Sequence, residues 1–237
     1  MKNFFIKLSP ILIIILVSMA MVTKANTAER VVGQLPEAYL TLYATEKKEG
    51  SLTTDLTNFT LKVKGHTYFF SRWMNVPNPT YYPELYYSDV NNDGKKEIII
   101  VLTTGTGSGV VLQEVHVFHE NNGDLVEVLV DNPVAIINKN VKTKSSNTEA
   151  VITIDNNKTK INFEELGIVP AHISENVGFG NKLKFKVIDD KLVAIVDASI
   201  APTGGGLGEI HIAYMFKDNM YQAEEIKFIP FWKLEFY

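Results

Sequence analysis

The segment DVNNDGKKEIIIVL, residues 89–102, joins a polar loop to the most hydrophobic strand that the sequence predicts. Oxygen-bearing side chains occupy every second position of the loop, at Asp89, Asn91 and Asp93. An uninterrupted apolar run follows at residues 98–102, which is typical of a strand buried on both faces. We therefore expect a β-rich fold with this strand near its centre.

The loop has the composition of a calcium site. Calcium is bound by carboxylate, amide and carbonyl oxygens, and the loop offers all three. The predicted ligands are the side chains of Asp89, Asn91, Asp93 and Glu97 and the main-chain carbonyl of Lys95. Gly94 permits the sharp turn that such a site requires. The alternative interpretation is a solvated Asn/Asp/Gly turn without a metal.

The spacing of the acidic residues decides between two kinds of calcium loop. An EF-hand closes with a glutamate at loop position 12, but that position here is Ile100. The pattern D-x-N-x-D-G-x-x-E at residues 89–97 resembles the calcium loop of FG-GAP and VCBS repeats. This resemblance implies a loop between two β-strands that is closed by its ninth residue, Glu97. It covers one copy of the motif and no more of the chain.

The first residues have the features of a secretory signal peptide. A basic start is followed by an apolar run at residues 11–22 and then by small residues where a signal peptidase cuts. The run is shorter than the roughly 20 residues that a membrane-spanning helix needs. We therefore predict a signal peptide at 1–28 and a single globular β-rich domain at 29–237, secreted and located at the cell surface. An uncleaved leader is the alternative, and the only expected route to a membrane.

Composition excludes several classes of function. The chain has no cysteine, so disulfides, thiolate zinc sites and cysteine nucleophiles are all excluded. Its formal charge of −4 becomes −7 when the three lysines of the leader are removed. The adjacent basic pairs at 47–48 and 95–96 are isolated, and nucleic acid therefore is not an expected partner.

Hydrophobic spacing predicts one short helix followed by strands. If residues 35–48 form an amphipathic N-terminal helix, one face of it carries Leu35, Tyr39, Leu40 and Tyr43. From Phe59 onward apolar residues alternate, which predicts antiparallel strands and a mainly β fold. The glycine-rich residues 103–109 are expected to form a flexible loop.

The second half of the chain repeats features of the first. A constant offset of 95 residues aligns three pairs: Gly109 with Gly204, Glu114 with Glu209, and His116 with His211. We predict two similar antiparallel β units, at about 58–130 and 149–231, that share one core. The second unit has only a tight turn at residues 189–190 where the first has its polar loop, so one calcium site is expected. The alternative is a chance similarity between glycine-containing β-hairpins.

Two glutamate–histidine pairs are the candidates for catalysis. Glu114 with His116, and Glu209 with His211, are each two residues apart, so each pair projects from one face of a strand. If the two pairs converged, they could form an acid–base or metal site. The alternative is that strand alternation simply directs them to solvent.

These patterns lead to two functional hypotheses. The first is an exported calcium-binding β domain that acts as a non-catalytic binding module for a protein or glycan at the cell surface. The second is a secreted hydrolase of cell-wall polymer or glycan that uses both glutamate–histidine pairs. Convergence of the pairs in one pocket would favour the hydrolase.

Overall fold

The structure is a computed structural model that describes residues 29–169, 173–201 and 204–234. The predicted signal peptide, residues 1–28, lies outside these ranges. The described part is mainly β, as the sequence predicts, and its strands form three sheets. The one α-helix in these ranges is α1 (Pro133–Asn140). No helix in the described ranges is long and apolar enough to cross a membrane.

The first sheet is an antiparallel meander of four consecutive strands. They are β1 (Glu29–Leu35), β2 (Leu40–Glu49), β3 (Leu52–Val63) and β4 (His66–Asn75). A second antiparallel meander follows, of which the strands are β5 (Glu84–Ser88), β6 (Glu97–Gly107), β7 (Val110–Asn121) and β8 (Asp124–Val130).

The second half of the chain forms two further meanders. A separate three-stranded sheet contains β9 (Val141–Ser145), β10 (Glu149–Ile154) and β11 (Asn157–Asn162). The last meander contains β12 (Gly178–Ile188), β13 (Lys191–Ser199), β14 (Gly206–Lys217) and β15 (Met220–Pro230).

Two parallel pairings join the meanders β5–β8 and β12–β15 into a ring. β15 pairs with β8 through Met220 and Tyr221, and β12 pairs with β7 through Lys182 and Leu183. The strands β12, β13, β14, β15, β8 and β7 therefore form a closed six-stranded ring, from which β6 and β5 extend beside β7. Closure satisfies the backbone groups that open sheet edges would leave unpaired.

Two hydrophobic cores lie on opposite faces of β6. Ile99 and Val101 point into the ring core, which contains the inward side chains of the ring together with those of β10 and α1. Ile98, Ile100 and Leu102 point into the sheet core, which lies against β1–β4. Every residue from 98 to 102 is at most 4% exposed. The prediction that this strand is buried on both faces is confirmed.

The predicted helix at residues 35–48 is wrong. Only a three-residue 3-10 helix forms there, Pro36–Ala38, and β2 follows it. Leu40, Leu42 and Ala44 are buried in the sheet core at every second position, whereas Tyr39 is 78% exposed. The apolar residues fit both periods over this short stretch, and pairing of β2 with β1 and β3 selects the strand.

The predicted flexible loop at residues 103–109 is also wrong. β6 continues to Gly107 and β7 begins at Val110, so only a two-residue turn separates them. Gly109, at φ +75°, adopts the left-handed conformation that such a turn requires. The glycine-rich composition therefore marks a tight hairpin.

The predicted duplication into two similar units is not confirmed. The meanders β5–β8 and β12–β15 each contain four consecutive strands in sequential order. However, all four strands of the later meander belong to the ring, whereas β5 and β6 lie outside it. A common origin of the two units therefore stays a prediction.

Candidate metal site

The predicted calcium loop connects two neighbouring antiparallel strands. β5 ends at Ser88 and β6 begins at Glu97, and these two residues pair with each other at the base of the loop. Val90 is 2% exposed and belongs to the ring core, so one apolar side chain anchors a loop that is otherwise polar. This β-loop-β setting is the one that the motif predicts.

The loop backbone is folded around the oxygens of the predicted ligands. The amide of Asp93 donates to Oδ1 of Asn91 at 2.8 Å and to Oδ1 of Asp89 at 3.1 Å. The amide of Gly94 donates to Oδ2 of Asp89 at 3.0 Å, and that of Lys95 to Oδ1 of Asp93 at 2.8 Å. These bonds orient three oxygen-bearing side chains within one short segment.

Two residues take the left-handed backbone conformation that this fold of the loop needs. Asn92 has φ +60° and Gly94 has φ +86°. Asparagine and glycine are the residues that adopt this conformation at low cost. The residue types in the loop therefore match its backbone as well as its predicted chemistry.

Glu97 lies at the base of the loop. Its Oε2 accepts a hydrogen bond from the amide of Val90 at 3.0 Å, and the residue is 2% exposed. The pKa of this carboxyl is raised to about 7, mainly by burial and also by the charges of Asp93 and Asp89, while the amides of Val90 and Asn91 oppose the shift. In contrast, the amide of Lys95 lowers the pKa of the exposed Asp93 carboxyl. Glu97 therefore is the ligand candidate with the least access to water.

Side chains from distant parts of the chain surround the loop. Nε2 of His119 on β7 lies 2.9 Å from the hydroxyl of Tyr221 on β15. Burial lowers the pKa of His119, and the charge of Asp93 opposes this shift. The Ser88 hydroxyl donates to Asp190 in the turn between β12 and β13. The loop thus lies near three separate segments, which are β7, β15 and the turn between β12 and β13, and its sequence alone does not show this.

The donor set determines which metal the loop fits. In the described residues no three His, Asp or Glu side chains form a group that could hold a metal by themselves. A complete site here needs the amide oxygen of Asn91 and the carbonyl of Lys95 in addition to the carboxylates. Calcium accepts such mixed oxygen sets, whereas zinc is usually held by histidine and cysteine. The donor types that the loop offers are those that calcium accepts.

The two glutamate–histidine pairs do not come together. Glu114 and His116 lie on β7, and Glu209 and His211 lie on β14, which is three strands away in either direction around the six-stranded ring. Their neighbours on each strand point into the ring core, so both pairs face away from it. The convergence that the hydrolase hypothesis requires is not found.

Each histidine instead has a local partner. Nδ1 of His116 lies 2.6 Å from Oε1 of Glu127 on β8, and its ring stacks on Trp73 at 4.2 Å between centroids. Nε2 of His211 lies 3.0 Å from Oε2 of Glu209. The partnership of His116 with Glu127 could not be predicted from spacing, because it depends on the register of β7 and β8.

Two surface depressions lie away from the loop. A groove of about 670 Å³ is lined by α1, β15 and the turn between β10 and β11, and it contains none of the predicted site residues. A second, of about 360 Å³, is lined by Glu114, His116 and Glu127 among others. Neither brings the second glutamate–histidine pair near the first.

Comparison with known proteins gives no further guide to the site. No protein-family model matches this sequence, and no curated protein matches it.

Proposed function

We propose that this protein is an exported β domain that holds one calcium ion in the loop 89–97 and acts as a non-catalytic binding module at the cell surface. The observation that carries this proposal is the geometry of the loop. Three carboxylates and one amide side chain belong to a single short segment, and the carboxylate that closes it, Glu97, is buried.

The charge balance of the loop supports a bound cation. No ion pair in the described ranges includes Asp89, Asp93 or Glu97. A buried carboxylate without a positive partner is costly, and neighbouring acidic groups increase that cost. A divalent cation held by the loop would supply the missing charge.

The positions of the two glutamate–histidine pairs support a non-catalytic role. The glutamate–histidine pairs lie on separate outer faces of the ring and have separate local partners. They therefore give the hydrolase alternative no common centre. The proposed export rests on the leader at residues 1–28.

Calorimetry and thermal unfolding test the calcium assignment directly. With an affinity typical of extracellular modules, about 0.1 to 1 mM, calcium at about 1 mM adds about 0.4 to 1.4 kcal/mol to the free energy of unfolding. This corresponds to a rise of about 1 to 6 °C in Tm. Magnesium should raise Tm less, because it prefers a smaller and more hydrated shell.

Variants separate the loop from general charge effects. Asp93→Ala and Glu97→Gln should remove the calcium increment while leaving the β signal in circular dichroism. Asp155→Asn is the matched control, since Asp155 is an exposed turn residue at φ +52° outside the loop and asparagine tolerates that conformation. If the purified protein melts at the same temperature in EDTA and in several millimolar calcium, and calorimetry detects no binding, the loop is an ordinary polar turn.

A further inference from the structure

Folding brings together four lysines that are scattered in the sequence. On the central strand of the three-stranded sheet, Val151 pairs with Lys144 of β9 and with Lys160 of β11. Two residues further along, Thr153 pairs with Lys142 of β9 and Lys158 of β11. Directly paired residues of antiparallel strands share a face, so all four lysines lie on one side of this sheet.

That side of the sheet faces solvent. The alternate residues of the central strand, Ala150, Ile152 and Ile154, are buried in the ring core, and the four lysines are exposed. Neighbouring strands are about 4.8 Å apart, so the two rows of lysines are separated by about 10 Å across the shorter Val151 and Thr153. Long side chains on β9 and β11 thus form the walls of a shallow channel that runs along β10.

The positive charge of this channel is largely uncompensated. Nζ of Lys160 lies 2.6 Å from Oε2 of Glu149, on the same face. In the described parts of the chain Lys142, Lys144 and Lys158 have no ion-pair partner. The nearest further acid along the chain is Asp155, in the turn at one end of the channel. A protein of formal charge −4 therefore carries a local cationic strip.

We propose that this lysine channel binds a linear phosphate polymer that lies along β10. Two parallel rows of charge with a low floor fit an extended polyanion better than a flat membrane surface. Lysine is a compact, flexible cation that binds phosphate as a point charge, and lysine is the only basic residue type at the outward positions of β9, β10 and β11. These positions also include no aromatic residue that could stack on nucleic-acid bases.

This inference names a partner class for the proposed binding module and rests on that role, but it does not depend on the calcium loop. The loop's predicted ligands lie between the end of β5 and the first residue of β6, whereas the channel belongs to a different sheet. Calcium binding and polymer binding can therefore be lost separately.

Another line of lysines in the chain provides a matched control. Lys182, Lys184 and Lys186 are exposed at alternate positions of β12. They form a single row, and Lys184 and Lys182 lie close enough to Glu209 to help lower the pKa of that carboxyl. Replacing two of them changes the net charge of the protein by the same amount without altering the channel.

Binding to sodium polyphosphate, measured by calorimetry in EDTA at about 50 mM and 300 mM NaCl, tests the proposal. The wild-type protein should bind at low salt and lose affinity as salt rises, because the contacts are ionic. The double variant Lys144→Gln/Lys158→Gln should bind roughly tenfold or more weakly and with a flatter salt dependence. Lys144→Arg/Lys158→Arg should retain binding, and Lys184→Gln/Lys186→Gln should stay within about twofold of wild type.

Several outcomes would overturn the proposal. The first is the absence of polyphosphate binding at low salt. The second is that the control variant Lys184→Gln/Lys186→Gln loses as much polyphosphate affinity as the channel variant. Tighter binding to polygalacturonate, phosphatidylglycerol vesicles or oligo-dT would overturn it in favour of a carboxylated glycan, a lipid surface or nucleic acid, respectively. Circular dichroism and thermal unfolding of the same variants in EDTA show whether they fold. A folded Lys144→Gln/Lys158→Gln variant with unchanged polymer affinity refutes the channel without affecting the calcium assignment.

Discussion

Glu97 has a different electrostatic role from the other acidic residues of the loop. Asp89 and Asp93 accept hydrogen bonds near the surface, whereas Glu97 is buried and has its pKa raised to about 7 from an ordinary value of 4.5. In the metal-free protein, the folded state therefore holds the Glu97 proton more tightly than the unfolded state does. Stability should fall as pH rises from about 4.5 to 7 and then level off.

This reasoning predicts the effect of Glu97→Gln without metal. The variant cannot ionise, so in EDTA at pH 8 it should exceed the wild type in free energy of unfolding by up to about 3 kcal/mol. At pH 5 the two should differ much less, because wild-type Glu97 is then largely protonated in the folded state. Urea denaturation at both pH values, with and without calcium, measures the difference. Added calcium should narrow the gap at pH 8, and an equal gap at pH 5 and pH 8 would contradict the titration of Glu97.

At the scale of elements, local alternation predicted several strands correctly. The alternation that begins at Phe59 matches β3 and β4, because the spacing of apolar residues along a strand is a local property of the sequence. The segment at 35–48 was misassigned, since its apolar spacing is compatible with both a helix and a strand. Only the neighbouring strands β1 and β3 resolve that ambiguity, and they are not visible in the local pattern.

Substitutions within residues 35–48 distinguish the strand β2 from the predicted helix. In β2 Leu42 is fully buried in the sheet core, so Leu42→Ala should lower the free energy of unfolding by about 2 to 5 kcal/mol. Tyr39, which a helix would place on the buried face, is 78% exposed with φ +50°. Tyr39→Gly should therefore cost little or be slightly stabilising. Urea denaturation measures both changes, and a large loss in Tyr39→Gly together with a small one in Leu42→Ala would support the helix.

At the scale of the whole molecule, what sequence could not predict is long-range pairing. The loop 89–97 was found from its own residues, but its neighbours Asp190 and Tyr221 come from a turn and a strand far away in the chain. The lysine channel was missed for the same reason, since its rows appear only when β9 and β11 flank β10. Ring closure through β12 and β7 has no local signature at all.

The predicted signal peptide determines where the mature chain begins and where the protein is located. If residues 1–28 are a signal peptide, protein isolated from the producing cell should begin near position 29 and be found outside the cytoplasm. N-terminal sequencing and intact-mass measurement of that protein decide the matter. A chain that begins at Met1 and fractionates with membranes would instead indicate an uncleaved signal anchor.

Gln113 connects the two halves of the molecule where the ring closes. Its side-chain oxygen accepts a hydrogen bond from the amide of Phe185 on β12 at 2.9 Å, and both residues are at most 9% exposed. β12 and β7 pair directly at only two positions, so this side chain extends a short junction. In Gln113→Leu the amide of Phe185 loses its partner while remaining buried, which should cost about 1 to 3 kcal/mol of unfolding free energy.

Urea denaturation and hydrogen exchange together test this role of Gln113. The loss in stability should be accompanied by faster exchange of the Phe185 amide and its neighbours on β12, because opening there no longer breaks the Gln113 bond. Gln222→Leu is the matched control, since Gln222 donates to the carbonyl of Lys217 within the single hairpin β14–β15 and does not connect β7 with β12. It should change stability by about 0.5 kcal/mol or less. If Gln113→Leu left both the stability and the exchange of β12 unchanged, the β7–β12 junction would be held by its backbone pairing alone.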